Sequence, residues 1–173
     1  LSLHYGKEQH SDLIARPKIA FPCVAKEGRF TLDSTGHYLP DTCCMILSTS
    51  LYLLGLLNSR LIWFYIGQTL PPLRGGYRRL WGPLFEKIPI YVPDFENRDD
   101  ANWSNMIEDL VRQMITLHGK MAETEDPTIK AVYLKQIGEI DNAIDHLVYK
   151  IYRLTLDEVR IIEKATSGPE RPS

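Results

Sequence analysis

The sequence predicts an α+β protein: a small mixed β-sheet body with packed helices, followed by a long antiparallel helical hairpin. Three observations carry this. Between positions 17 and 47, apolar residues alternate or run in short blocks bounded by turn formers, the pattern of strands. From Ser50 to Gly67 the apolar spacing changes to three-four, the pattern of a helix. Beyond Asn102 two seams step by four and three over long stretches, the pattern of paired helices. With 173 residues and 44% hydrophobic content, the chain is long enough to bury one or two cores.

Residues 1–16 are polar and aperiodic and are expected to be a lead-in. Pro17 to Lys26 reads as one extended segment and Arg29 to Asp33 as a second, with Lys26-Glu27-Gly28 turning between them as a hairpin. Thr42 to Leu47 is a third, apolar strand. In the helix from Ser50 to Gly67, Leu53, Leu54, Leu57, Leu61, Phe64 and Tyr65 share one side. Leu70-Pro71-Pro72-Leu73 ends it, because proline lacks the amide donor and restrains its predecessor. Arg74 to Arg79 is a glycine-hinged basic loop, and Leu84 to Val92 returns to apolar structure. The α/β body therefore spans 17–93, and the polar stretch 94–102 is the expected connector.

The hairpin occupies 103–166 together with a short terminal helix. Its first seam is Trp103, Ile107, Leu110, Met114, Leu117 and Met121. Its second is Tyr133, Ile137, Ile140, Ile144, Leu147, Ile151 and Leu154. Asp126 and Pro127 suit a cap and a first turn. Thr155-Leu156-Asp157-Glu158 is a capping box for the last helix. Residues 167–173 are expected to form a disordered tail.

The net charge of -2 points to no polyanion by itself. Its distribution does. Residues 1–93 carry ten Lys/Arg against six Asp/Glu, and 94–173 carry ten against sixteen, so the first part is basic and the second acidic. Cys23, Cys43 and Cys44 are odd in number and lack the spacing of a zinc site; all three are expected to be reduced, small buried residues. The apolar run from Met45 to Ile66 is interrupted by Asn58, Ser59 and Arg60 and does not read as a membrane span. No signal peptide is visible, and a cytoplasmic protein is expected.

Catalysis needs a constellation, and the usual ones are missing from the sequence. There is no phosphate loop, dinucleotide turn, metal-binding His-Glu-x-x-His or nucleophile elbow. Pro93-Asp94 lacks the acidic-x-Lys triplet of metal-dependent nucleases. The histidines at 4, 10, 37, 118 and 146 are scattered, and Asp99-Asp100 is expected to be solvated. No catalytic, metal or cofactor site is expected in this chain. The basic loop stands out instead. Glycine lets backbone come close to a ligand, and each arginine offers a planar fork for phosphate or for the O6/N7 edge of guanine.

Several segments in order carry a resemblance: Arg16-Pro-Lys-Ile, Phe30 to Tyr38, Leu51 to Tyr65 with its Leu-Leu-Asn-Ser-Arg core, Leu73 to Arg79, Leu84 to Ile90 with its Ile-Pro-Ile strand, and Leu147 to Val159 with Val-Tyr-x-x-Tyr-x-Leu. Together they resemble the TaqI-like C-terminal specificity domain. That is the target-recognition domain of adenine-N6 DNA methyltransferases and fused type II restriction-modification enzymes, and it is similar to half of a type I specificity subunit. The resemblance covers about residues 15–164.

It implies a prokaryotic protein that reads double-stranded DNA. The catalytic domain, with its Asn-Pro-Pro-aromatic motif and its S-adenosylmethionine site, would precede this chain on the same polypeptide. Pro71-Pro72 follows Leu70 and is not that motif. The α/β body would face the groove; members of the family read different sites with different residues, so the contacts expected here come from the local pattern: Arg74, Gly75, Gly76, Tyr77, Arg78 and Arg79 of the loop, with Lys26 and Arg29 from the first hairpin. The hairpin would dock the methyltransferase domain. A competing reading keeps the heptad hairpin as a protein-interaction or homodimerisation module without DNA contact. Relatives often continue after Tyr77-Arg78-Arg79 with lysines; here Leu80-Trp81-Gly82-Pro83 intervenes, so Trp81 is expected to be buried and the basic patch to stop at Arg79.

Overall fold

The computed structural model describes residues 15–80, 82–83 and 85–167. The lead-in up to position 14, Trp81 and the tail from 168 lie outside the described residues. The fold is α+β, as the periodicities predict. Among the described residues the strands are β1 Lys18–Pro22, β2 Val24–Ala25, β3 Thr31–Asp33, β4 Cys43–Ile46 and β5 Arg78–Arg79. The α-helices are α1 Leu51–Asn58, α2 Arg60–Thr69, α3 Arg98–Glu123, α4 Pro127–Ile151 and α5 Leu156–Thr166. These strands pair antiparallel, in a three-stranded sheet ordered β3-β1-β4 and a two-stranded ribbon of β2 and β5.

The chain divides into two compact units. One takes in the chain up to Asn58 and Ile62–Ile90; the other takes in Ser59–Leu61 and the chain from Tyr91 onward.

The first unit is organised by β1, the central strand. Phe21, Phe30 and Phe85 stack in its core, with ring centroids 4.9, 5.2 and 6.2 Å apart. Ile19, Ile46, Leu56, Leu57, Ile66 and Leu80 complete the apolar interior. Lys18 is also fully buried there. A buried ammonium requires a partner, and its Nζ reaches Asp33 Oδ2 at 2.6 Å and the His37 carbonyl at 2.8 Å. Asp33 in turn accepts from the amides of Thr35, Gly36 and His37, which shapes the turn after β3.

Three expectations for the α/β body need correction. The extended segment from Pro17 to Lys26 is two strands, not one: at Cys23 the chain leaves the first sheet and enters the ribbon. The cysteines are not all reduced. Cys23 and Cys44 form a disulfide, with Cα atoms 5.4 Å apart, and Cys43 is the free thiol among the described residues. Phe21 faces Cys44 across the β1–β4 pair, and Cys23 lies two residues beyond Phe21, so both cysteines fall on one face as diagonal neighbours. Neighbouring Cys43 points to the opposite face. Lastly, the helix from Ser50 to Gly67 is interrupted at Ser59. Asn58 ends α1 by clasping Phe30, accepting from its amide at 3.0 Å and donating to its carbonyl at 2.9 Å.

In the second unit, α3 begins at Arg98, ahead of Trp103, because the Asn97 side chain caps it. Helices α3 and α4 fold back on one another. The Asp126 cap, the proline in the first turn of α4 and the Thr155–Glu158 capping box all form as their residues predict. Asp100 is buried rather than solvated. It accepts from the Tyr91 hydroxyl at 2.6 Å and the Asp94 amide at 3.1 Å. The Tyr91 hydrogen bond, first among several causes, holds its carboxyl below the usual range.

Candidate nucleic-acid interface

The basic loop is the tip of a small hairpin. The Leu73 amide donates to the Tyr77 carbonyl at 2.8 Å, and Pro72 bridges Arg78. Between them Arg74–Gly76 makes one 3-10 turn. Gly75 and Gly76 both take positive φ, 78° and 81°. Two successive residues in that region are what only glycine tolerates without strain. The tip holds Arg74 exposed.

The chain leaving the tip pairs with the chain leaving Cys23. Val24 faces Arg79 and Ala25 faces Arg78. The Leu80 amide donates to the Cys23 carbonyl at 2.8 Å, and the Cys23 amide to the Thr42 carbonyl at 2.8 Å. One residue further along the ribbon, the Lys26 ammonium sits over the Tyr77 ring, 4.7 Å from its centroid. This pairing unites the two groups of candidates, Lys26 from the first hairpin and Arg74 to Arg79 from the loop.

Strand alternation then sorts the side chains. Val24, Lys26, Tyr77 and Arg79 share the exposed face; Val24 and Tyr77 are each 42% exposed. Ala25 and Arg78 turn the other way. Ala25 is buried. Arg78 donates through Nη2 to the Gly67 carbonyl at 3.2 Å, while its Nε and Nη1 are buried without a hydrogen-bond partner among the described residues. The two adjacent arginines are therefore unequal: Arg79 is displayed and Arg78 faces inward. Arg29 is exposed but held by Glu27, whose Oε1 lies 2.6 Å from its Nε. The ribbon face thus carries fixed cations and one aromatic ring, a chemistry suited to polyanions and base edges.

The Leu-Leu-Asn-Ser-Arg segment serves structure instead. Asn58 holds Phe30, as above. Arg60 donates through its amide to Asp145 Oδ1 at 2.8 Å, and its guanidinium forms an ion pair with the same carboxylate, Nε lying 3.1 Å from Oδ2, within the second unit. In the terminal motif, Tyr149 is buried and Tyr152 accepts the Tyr91 amide at 2.9 Å. His118 and His146 are exposed on their helices. Among the described residues no cluster of His, Cys, Asp or Glu could hold a metal ion, and no helix is long and apolar enough to cross a membrane.

The family model of the TaqI-like C-terminal specificity domain matches residues 3–90. The chain belongs to this family. The match ends where the first unit ends, at Ile90, so the specificity-domain family covers the unit that carries the ribbon. The chain is also similar to DNA methyltransferase A of Bacillus subtilis (strain 168), at 26% identity over 151 residues, which is 83% of this chain and 16% of that protein. This specificity-domain chain therefore spans a small part of the relative's length. Val24, outside the sequence-based candidates, joins this exposed face because it pairs with Arg79, a partner far along the sequence. The one local signal was its place two residues before Lys26 in an extended segment.

Proposed function

We propose that this chain is the double-stranded DNA target-recognition module of a restriction-modification methyltransferase, and that it positions a catalytic domain carried elsewhere on the same polypeptide. The observation that carries this reading is the exposed cationic ribbon face on a unit belonging to a specificity-domain family. Arg74 and Arg79, with Lys26, engage the duplex; Tyr77 lies among them as a stacking or groove-wall surface; Gly75 and Gly76 let the tip come close to the backbone. Arg78 supports the ribbon from behind. S-adenosylmethionine binding and adenine-N6 methyl transfer belong to the catalytic domain, and the whole protein works in a bacterial cytoplasm. Similarity to a DNA methyltransferase supports that setting.

Fluorescence anisotropy of the full chain with a labelled duplex at low salt tests this. Binding should weaken steeply as salt rises, with a log–log slope of about -0.9 for each neutralised phosphate. Replacing Arg74 and Arg79 together with alanine should cost about tenfold or more in affinity. No binding at low salt, or equal binding by the double variant, would rule out this surface.

A second reading rests on α3 and α4. Seam residues Met114, Leu117, Met121, Tyr133, Ile137 and Ile140 stay half-buried, and Ile115, Ile129 and Val132 are exposed. Two helices alone leave such a seam half covered. It suits a packing partner, either the methyltransferase domain or a second copy of the chain. A concentration-dependent dimer in sedimentation, with no DNA binding, would favour this reading over the first.

A further inference from the structure

We propose that the β2–β5 ribbon enters the major groove as a unit with this exposed face toward the base edges, and that Val24 reads the C5-methyl group of a thymine beside the base pair addressed by Arg79. The inference rests on the DNA-recognition reading and goes past it by naming a specificity residue and the chemical group it recognises.

The geometry supplies the parts. A major groove about 12 Å wide admits a two-stranded ribbon, whose strands lie about 4.8 Å apart. Val24 and Arg79 are direct cross-strand partners, so their side chains leave the ribbon side by side, about 5 Å apart at Cβ. That spacing brings both within reach of one base pair or two successive ones. Lys26 and Tyr77, joined by their cation–π contact, form the next rung of the same face. Phosphates flanking the groove complement Lys26 and the Arg74 tip, so charge orients the ribbon with Val24 inward.

Val24 itself is unusual for a residue beside two arginine positions. It is a β-branched apolar side chain, 42% exposed, on an otherwise polar rung. Its opposite neighbour along the strand, Ala25, already fills the core side, so Val24 is not needed for packing. In the major groove, thymine is the unmodified base that offers an apolar methyl group, and small apolar side chains are its natural contacts. Arg79 next to it offers a fork that matches the O6/N7 edge of guanine.

The test uses the full chain. A randomised duplex library selected at low salt gives the preferred site, and each thymine in that site is then replaced singly with deoxyuracil, which removes only the methyl group. At one position the wild-type chain should lose about fourfold in affinity, the worth of one buried methyl group. Val24→Ala should bind the deoxyuracil duplex as the wild type does and no longer distinguish thymine from deoxyuracil there. Val24→Ile should keep the distinction. Thermal unfolding should be little changed in either variant, because the position is partly exposed. Persistence of the thymine preference in Val24→Ala, or insensitivity of the wild type at every thymine, overturns the inference while leaving DNA recognition in place. Absence of any selected duplex overturns the DNA-recognition reading, and Val24's role with it.

Discussion

Lys18 and Asp33 show how one residue pair can decide a local fold. The ammonium is fully buried and cannot be left alone. Asp33 answers it and also gathers the amides of the following turn. The Lys18 hydrogen bond, with those of His37 and Thr35, drives the Asp33 carboxyl well below the ordinary carboxylate range. Its folded value lies below its unfolded value, so it stabilises the fold above about pH 4 and that contribution is lost as acid carries the pH down through the folded value. Asp33→Asn should lower Tm by several degrees at neutral pH and flatten the remaining acid dependence below about pH 4 in thermal melts. An unchanged acid profile would show that the pair does not stabilise the turn. Arg78 and Arg79 teach a related point. Their shared charge made both candidates, but charge says nothing about facing, and only the ribbon register separates the inward side chain from the displayed one.

At the scale of elements, those with local causes were legible. The capping box at Thr155, the cap at Asp126, the two long seams and the glycine tip all follow from residues within a few positions of one another. What was not legible depended on distant partners. The break at Ser59 follows Asn58's grip on Phe30. The division of the first extended segment follows the pairing of β2 with β5. The disulfide required that Cys23 and Cys44 share a face of adjacent strands, which spacing alone does not reveal. Cys23 is the corner where three segments meet, through its bond to Cys44, its amide to Thr42 and its carbonyl to Leu80. Closing a loop with a separation of 21 residues should contribute about 3 kcal/mol. Urea unfolding of the oxidised chain against Cys23→Ser/Cys44→Ser should show that difference, with Cys43→Ser close to the wild type. Equal midpoints would mean that the crosslink adds nothing to the folded state.

At the scale of the whole molecule, the two compact units follow the charge split of the sequence. The family match, the aromatic core and the cationic ribbon fall in the first; the long helices with their half-covered apolar seam, in the acidic part of the chain, fall in the second. The class of fold and the basic loop could be seen in the sequence because both rest on short-range patterns. The candidate interface as a surface could not, since it is made by two chain segments meeting antiparallel. Hydrogen exchange of the full chain with and without its selected duplex tests the central claim most directly. Slowed exchange of amides in 24–26 and 73–79, with α3 and α4 unaffected toward the turn that joins them, is the predicted result. Protection confined to α3 and α4, with the ribbon exchanging as in the unbound chain, would contradict it.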